Sequence, residues 1–365
     1  MPEPATRSGR ALRGRTVLLT GHTGFKGAWL TMWLRALDAE VTGFSYDVPT
    51  RPSLFQLARV GEDVRSIAGD VRDLGMVRAA LAEARPEIVF HLAAQSLVRR
   101  SLREPIATYA INVMGTANVL EAVRADGGVR AMVNVTSDKC YAEQALDRGY
   151  RETDPLGGSD PYSASKAGAE LVVAGYARSL LAPADSTRVA SARAGNVIGG
   201  GDWGEDRLVP DLVRAAAVGR TLRVRNPDAV RPWQHVLNAL DGYLELAQAL
   251  WRSPAAARAW NFGPDPEDAL PVRTVIDGLA GLWGGGIAWE ADPGPHPREA
   301  PHLALDSSAA RRELGWRPRW GLVRALEAVA EWHRAVSAEE DPREVSLRQI
   351  EAYTTESAPI ASPDA

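Results

Sequence analysis

Between residues 16 and 37 an apolar run, Thr16-Val17-Leu18-Leu19, passes into an amphipathic run, Ala28 to Leu37, through Thr20-Gly21-His22-Thr23-Gly24-Phe25-Lys26-Gly27. A strand that turns into a helix across three glycines leaves few folds open. The glycines let the backbone turn tightly and approach a pyrophosphate, and the free N–H groups and dipole of the helix N-terminus stabilise its charge. Gly21, His22, Thr23, Gly24, Phe25, Lys26 and Gly27 are therefore the expected cradle of a dinucleotide. Their three-and-three spacing differs from the two-and-three spacing of the best-known dinucleotide fingerprint.

The same alternation continues downstream. Strands are expected at Val17-Thr20, Val41-Ser45, Val64-Ala68, Ile88-Leu92, Met132-Thr136 and Arg188-Arg193, with helices at Ala28-Leu37, Leu74-Glu83, Ile106-Ala125 and Tyr162-Leu181. Parallel strands need crossover helices, so the pattern predicts an α/β fold: a Rossmann-type, doubly wound parallel sheet. From about Gly199 the rhythm gives way to Gly- and Pro-rich loops, scattered tryptophans and helices at Val209-Val218, Leu237-Trp251 and Val272-Leu282. We read 1–14 as a disordered leader and 15–198 as the cofactor domain, with later segments returning to it. A smaller α/β substrate lobe then spans mainly 199–336, with terminal helices in Ala309–Val336, and an acidic tail that need not be ordered spans 337–365.

Ligands of such sheets lie beyond the carboxyl ends of the strands. After the second strand, Asp47 suits a ribose hydroxyl and Arg51 a ribose phosphate, with NAD favoured over NADP. After the third, Asp70, followed by Val71, either accepts from an adenine amino group or caps the next helix. After the fourth, Leu92, Ala93, Ala94 and Gln95 allow close backbone approach, and Asn112 is suited to tying backbone segments together.

The fifth strand runs into Ser137-Asp138-Lys139, and twenty-five residues after Ser137 comes Tyr162-Ser163-Ala164-Ser165-Lys166. In a helix Tyr162 and Lys166 share a face. An ammonium there is expected to pull the phenol below its usual pKa of about 10 and make it a base, with Ser137 orienting an alcohol for hydride transfer. Asp138 and Lys139 place an acid and a candidate base beside the oxidised carbon. In a hexose oxidised at C4 they would serve loss of water across C5 and C6, Asp138 protonating the C6 hydroxyl and Lys139 standing nearest the C5 proton.

Bulk properties exclude other classes. With a net charge of -4 over 365 residues, no basic field exists to bind nucleic acid, and the single cysteine, Cys140, rules out an internal disulfide framework. No apolar stretch approaches the roughly 18 residues of a membrane helix. The expectation is a soluble cytoplasmic enzyme with a small-molecule substrate and no metal.

These residues resemble the extended short-chain dehydrogenase/reductase superfamily and, within it, its CDP-D-glucose 4,6-dehydratase branch. The likeness runs from Gly21 to Trp332 and is carried most specifically by Ala192-Arg193-Ala194-Gly195-Asn196-Val197-Ile198-Gly199-Gly200-Gly201-Asp202-Trp203 and Arg231-Pro232-Trp233-Gln234-His235-Val236. It implies a hydro-lyase that recycles NAD internally and works as a homodimer through the helices at Ile106–Ala125 and Tyr162–Leu181. Sister dehydratases usually carry a glutamate as C5 base where this chain has Lys139, which acts either as the base or as the enolate's counter-charge. The resemblance also implies that Gln95, Ser137, Asn196, Gly201, Trp203, Arg207, Arg231, Trp233 and Arg298 hold the nucleotide sugar, Arg298 standing where the family usually has histidine. An epimerase, a 4,6-dehydratase of another nucleotide hexose, and a non-catalytic sensor on the same fold are the competing readings.

Overall fold

The computed structural model describes residues 11–144, 146–181, 187–294 and 302–356. Strands β1 (Thr16–Thr20), β2 (Glu40–Ser45), β3 (Arg65–Ala68), β4 (Ile88–His91), β5 (Ala131–Val135), β6 (Arg188–Arg193) and β7 (Ala259–Asn261) form one sheet in the order β7-β6-β5-β4-β1-β2-β3. Every pairing is parallel. The first six strands fall within one residue of expectation at each end. The seventh, Ala-Trp-Asn, was not foreseen.

Both faces of the sheet are buried, and side-chain alternation divides them. Val17, Leu19, Phe90 and Val133 enter one core with helices α1 (Phe25–Ala36) and α6 (Val236–Arg252). Leu18, Val89, Met132 and Val189 enter the other with α2 (Leu74–Ala84), α3 (residues 105–126) and α4 (Pro161–Ser179). Helix α3 contains one π turn, Ala110–Met114, around Asn112.

Helices α5 (Leu208–Ala217), α7 (Val272–Trp283) and α8 (Leu322–Ser337) build a separate apolar cluster with Ile198 and Trp233. The smaller lobe is thus not a contiguous block, since α6 and β7 lie on the main sheet. The expected tail is also partly ordered. Pro342–Thr355 forms α9, and its Val345, Ile350 and Tyr353 are buried in the first core. In the expected leader, Leu12 is buried in the same core.

Strand register positions the site. Thr20 lies level with His91, and His91 with Asn134, so the residues following β1, β4 and β5 emerge at one edge. The strand order reverses between β1 and β4, the crevice in which ligands of such sheets bind.

Candidate active site

At the first turn of α1 the backbone N–H groups have no intrahelical partner, Gly24 gives no side-chain cap, and no acidic residue lies in that turn. The negative charge this end calls for must come from a ligand. The glycines divide the work. A Cβ at Gly21 would meet the Ala93 backbone at 2.7 Å and one at Gly27 the Gly21 oxygen at 2.1 Å, whereas Gly24 faces open space apart from the Gly21 oxygen at 3.4 Å. Two glycines close the turn and the third leaves room for a pyrophosphate, so the cradle fits a dinucleotide.

Other expected cofactor residues divide into lining and supporting ones. Asp70, Arg72, Tyr46 and Met76 border an open cleft of 520 Å³. The Asp70 carboxylate accepts from Arg72 Nε at 2.8 Å and is held below the usual carboxylate range by that bond. The helix-capping role belongs to Asp73 instead, which accepts from Gly75 and Met76. Val71 is buried against Gly115.

His22 turns away from the cradle. Its ring bridges Ser45 Oγ (2.8 Å) and Ser66 Oγ (3.0 Å), and burial pushes its pKa down to about 4. Leu92, Ala93 and Ala94 are half-buried beside the turn. The Gln95 amide donates to Leu97 O and Thr108 Oγ1 and accepts from Leu97 N, so both of its N–H groups are engaged. Asn112 takes the structural role, bridging the Gln95 backbone to Ser165 Oγ through three hydrogen bonds.

The constellation read from sequence is assembled. Ser137 Oγ donates to Asp138 Oδ1 at 2.8 Å, while Asp138 Oδ2 is buried with no hydrogen-bond partner among the described residues. Lys139 is half-buried on the same short turn, its N–H donating to Ser137 Oγ at 3.2 Å. Tyr162 and Lys166 are both buried, and Lys166 Nζ donates to the Val135 carbonyl at 3.3 Å.

The electrostatics reverse one expectation. Burial raises the Tyr162 pKa to about 12, against the lowering influence of the Ser137 hydroxyl and Arg207. Burial also lowers Lys166 to about 8. Burial penalises both charged forms. The phenol becomes a useful base only when further positive charge enters the site.

Sequence reasoning missed several groups. Lys26 contributes its side chain as well as its backbone: Nζ donates to Tyr243 Oη on α6 at 3.4 Å, and burial together with Arg207 and Lys166 lowers its pKa to about 8. Glu170, one helical turn beyond Lys166, accepts from Thr136 Oγ1 (2.5 Å) and pairs with Arg193 (2.7 Å), both partners of the ion pair being buried. Arg193 in turn donates to Tyr141 Oη, which donates to Asn261 on β7. Helical spacing signals Glu170; nothing local signals Arg193 or Asn261.

Arg207 lies close enough to Tyr162 to act on its charge, and it pairs with Asp202 at 2.9 Å while donating to Ser96 at 3.0 Å. Asn196 and Gly201 adopt positive φ, 42° and 74°, and shape the loop leaving β6. Arg231 is buried and donates to the Val230 carbonyl. The two tryptophans pack rather than offer a stacking face. Trp233 is buried with its indole donating to Leu270 O, and Trp203 lies edge-on to His333 in the lobe core. Arg298 lies outside the described residues.

Residues 17–263 match the model of the NAD dependent epimerase/dehydratase family. The chain is 48% identical over 346 residues to a CDP-glucose 4,6-dehydratase of Salmonella typhimurium, covering 93% of this chain and 96% of that one. Among solved structures, a dTDP-glucose 4,6-dehydratase from Streptomyces venezuelae with NAD and TYD bound superposes with a TM-score of 0.74 at 26% identity, covering 90% of this chain and 99% of that one. A UDP-glucose 4-epimerase of Thermus thermophilus in complex with NAD gives 0.75 at 27%, covering 87% and 98%. With its fold, its cofactor cradle and its Ser-Tyr-Lys constellation in place, the chain belongs to the NAD-dependent epimerase/dehydratase family.

Proposed function

We propose that this enzyme converts CDP-D-glucose to CDP-4-keto-6-deoxy-D-glucose and water, with NAD as a recycled cofactor. The observation that carries the reading is Asp138, a buried carboxyl group with one oxygen that has no hydrogen-bond partner among the described residues, next to Ser137. A 4-epimerase needs no acid there; loss of the C6 hydroxyl does. Identity to the Salmonella enzyme supports the cytidine nucleotide.

Each residue then has a task. Tyr162 takes the C4 hydroxyl proton, Ser137 holds that oxygen, and Lys166 fixes the local charge. Asp138 gives its proton to the departing C6 hydroxyl. Lys139, when neutral, takes the C5 proton and gives it back to C5 as hydride returns to C6; when protonated throughout, it is the counter-charge of the enolate and another group carries that proton. The Gly21–Gly27 turn would hold NAD, which when bound would supply a reversible hydride acceptor and a positive charge in the site. Arg207 and Arg231 supply positive charge for the diphosphate, and Asn196 and Gly201 shape the loop beside it. The sheet with residues 15–198, α6 and β7 is the cofactor-holding body, and the α5, α7 and α8 cluster is the nucleotide-sugar lobe.

The test is mass spectrometry of the protein incubated with several nucleoside-diphosphate glucoses and NAD. Loss of one water from CDP-glucose without net NADH is expected. Dehydration of a different nucleotide sugar would overturn the cytidine assignment, and isomerisation without mass change would replace the dehydratase reading with an epimerase.

A homodimer in the cytoplasm completes the proposal. A lone buried thiol fits a reducing compartment. Helices α3 and α4 pack together and present Ile106 (80% exposed) and Leu171 (63% exposed), with Tyr109 and Met114 also exposed, an apolar face suited to its two-fold copy. Symmetry places any substitution in the interface twice. Leu171→Asp is expected to weaken the dimer by about 100-fold or more, since burying even a neutral polar group without a partner costs roughly 1–3 kcal/mol and a carboxylate costs more. Light scattering at micromolar protein reads this out, and a wild-type monomer mass would refute the dimer.

A further inference from the structure

Gly195 follows β6 and Ala194, and its φ lies outside the left-handed region, so backbone conformation does not demand a glycine. Space does. A Cβ there would lie 1.7 Å from Asp138 Oδ2 and 2.1 Å from its Cγ, where ordinary contact begins near 3.4 Å. Neither side can retreat cheaply. The Gly195 carbonyl accepts from Gln234 Nε2 (3.5 Å), which also donates to Phe262 O (2.7 Å). Asp138 sits on a turn pinned by Lys139 N to Ser137 Oγ and by Gly157 N to Cys140 O, with Cys140 buried beneath.

We propose that Gly195 is a positioning residue for the elimination: its bare Cα is the wall against which Asp138 Oδ2 lies, and this fixes the rotation of the carboxyl group that serves the leaving hydroxyl. This inference rests on reading Asp138 as the acid. The contact falls on the carboxyl group. The three atoms nearest that Cβ all belong to the Asp138 side chain, whose Oδ1 accepts from Ser137, while Tyr162 and Lys166 stand on α4. Proton transfer requires heavy atoms within about 2.6–3.2 Å, and a misplacement of about 1 Å can cost on the order of 100-fold. A methyl group at 195 forces at least that displacement.

The experiment is Gly195→Ala, alone and combined with Asp138→Ala, assayed for single-turnover reduction of NAD and for loss of water from CDP-glucose. Dehydration is expected to fall about 100-fold or more while NAD reduction stays within a few-fold. In the Asp138→Ala background the carboxylate is gone and the methyl group has room, so adding Gly195→Ala should slow nothing further. If the single variant does not fold, recovery of folded protein in the double variant supports the same contact. Unchanged dehydration, equal loss of both half-reactions, or a further loss on the Asp138→Ala background would overturn the proposal. Should the wild type release no water from CDP-glucose, the activity assignment fails separately. A crystal structure of Gly195→Ala still decides the geometry: a displaced Asp138 carboxylate supports it and an unmoved one refutes it.

Discussion

Asp138→Asn is expected to divide the reaction at its midpoint, reducing bound NAD at close to the wild-type rate while dehydration falls by about 100- to 10,000-fold, the usual contribution of a general acid. The substitution is nearly isosteric, and the amide oxygen can still accept from Ser137 Oγ in place of Oδ1. Only the ability to release a proton at Oδ2 is lost. NADH absorbance should then rise after mixing with CDP-glucose and persist, because hydride return to C6 requires that water has already left. Tyr162→Phe gives the contrasting result, no absorbance rise, since the C4 proton has no acceptor. Full turnover by the asparagine variant would remove Asp138 from the mechanism and with it the distinction from a 4-epimerase.

The parts of this enzyme legible in sequence are those set by local rules. A parallel strand buried on both faces is a continuous apolar run, so β1, β4 and β5 could be delimited from their apolar residues. Because those strands end level, the residues just past each end meet without further assumption, which is why Ser137 and the glycine turn converge. What escaped depends on partners distant in the chain. Gln95 looked available until Leu97 and Thr108 occupied it, and Trp233 until Leu270 did. Gly195 is a glycine because of Asp138, fifty-seven residues earlier. Burial of the phenol is hidden for a different reason, since helical spacing reports which side chains share a face but not the desolvation that raises the Tyr162 pKa. Helix α9 was readable after all. Asp341-Pro342 is a cap followed by an N1 proline, and Val345, Gln349, Ile350 and Tyr353 form a buried stripe that an acidic, polar composition obscured.

The largest stability effect should come from acid. Among the described residues, four histidines are buried as neutral rings. His22 sits between two serine hydroxyls, His91 between Thr20 and Thr116, His235 against Trp29 and Trp320, and His333 among Trp203, Trp283 and Trp332. Burial lowers their pKa values to about 4, 3, 3 and 4 respectively, from 6.5 in the unfolded chain. A depressed folded-state pKa means that the unfolded chain binds the proton first. The stability is therefore fully present above pH 6.5 and is lost as pH falls from there toward 4. Each histidine costs about 1.4 kcal/mol per pH unit inside that window, so four together cost roughly 5 kcal/mol per unit. A domain whose total stability is of order 5–15 kcal/mol cannot sustain that slope far. Ion-paired carboxylates such as Asp154, held near a pKa of about 2 by Arg148, add their loss only at lower pH. Melting temperature should accordingly drop steeply between pH 6.5 and 5, and His333→Phe, which removes one of the four protons, should flatten that slope by about a quarter. A melting temperature that stays level from pH 7 to 5 would mean that these rings accept protons without opening the fold.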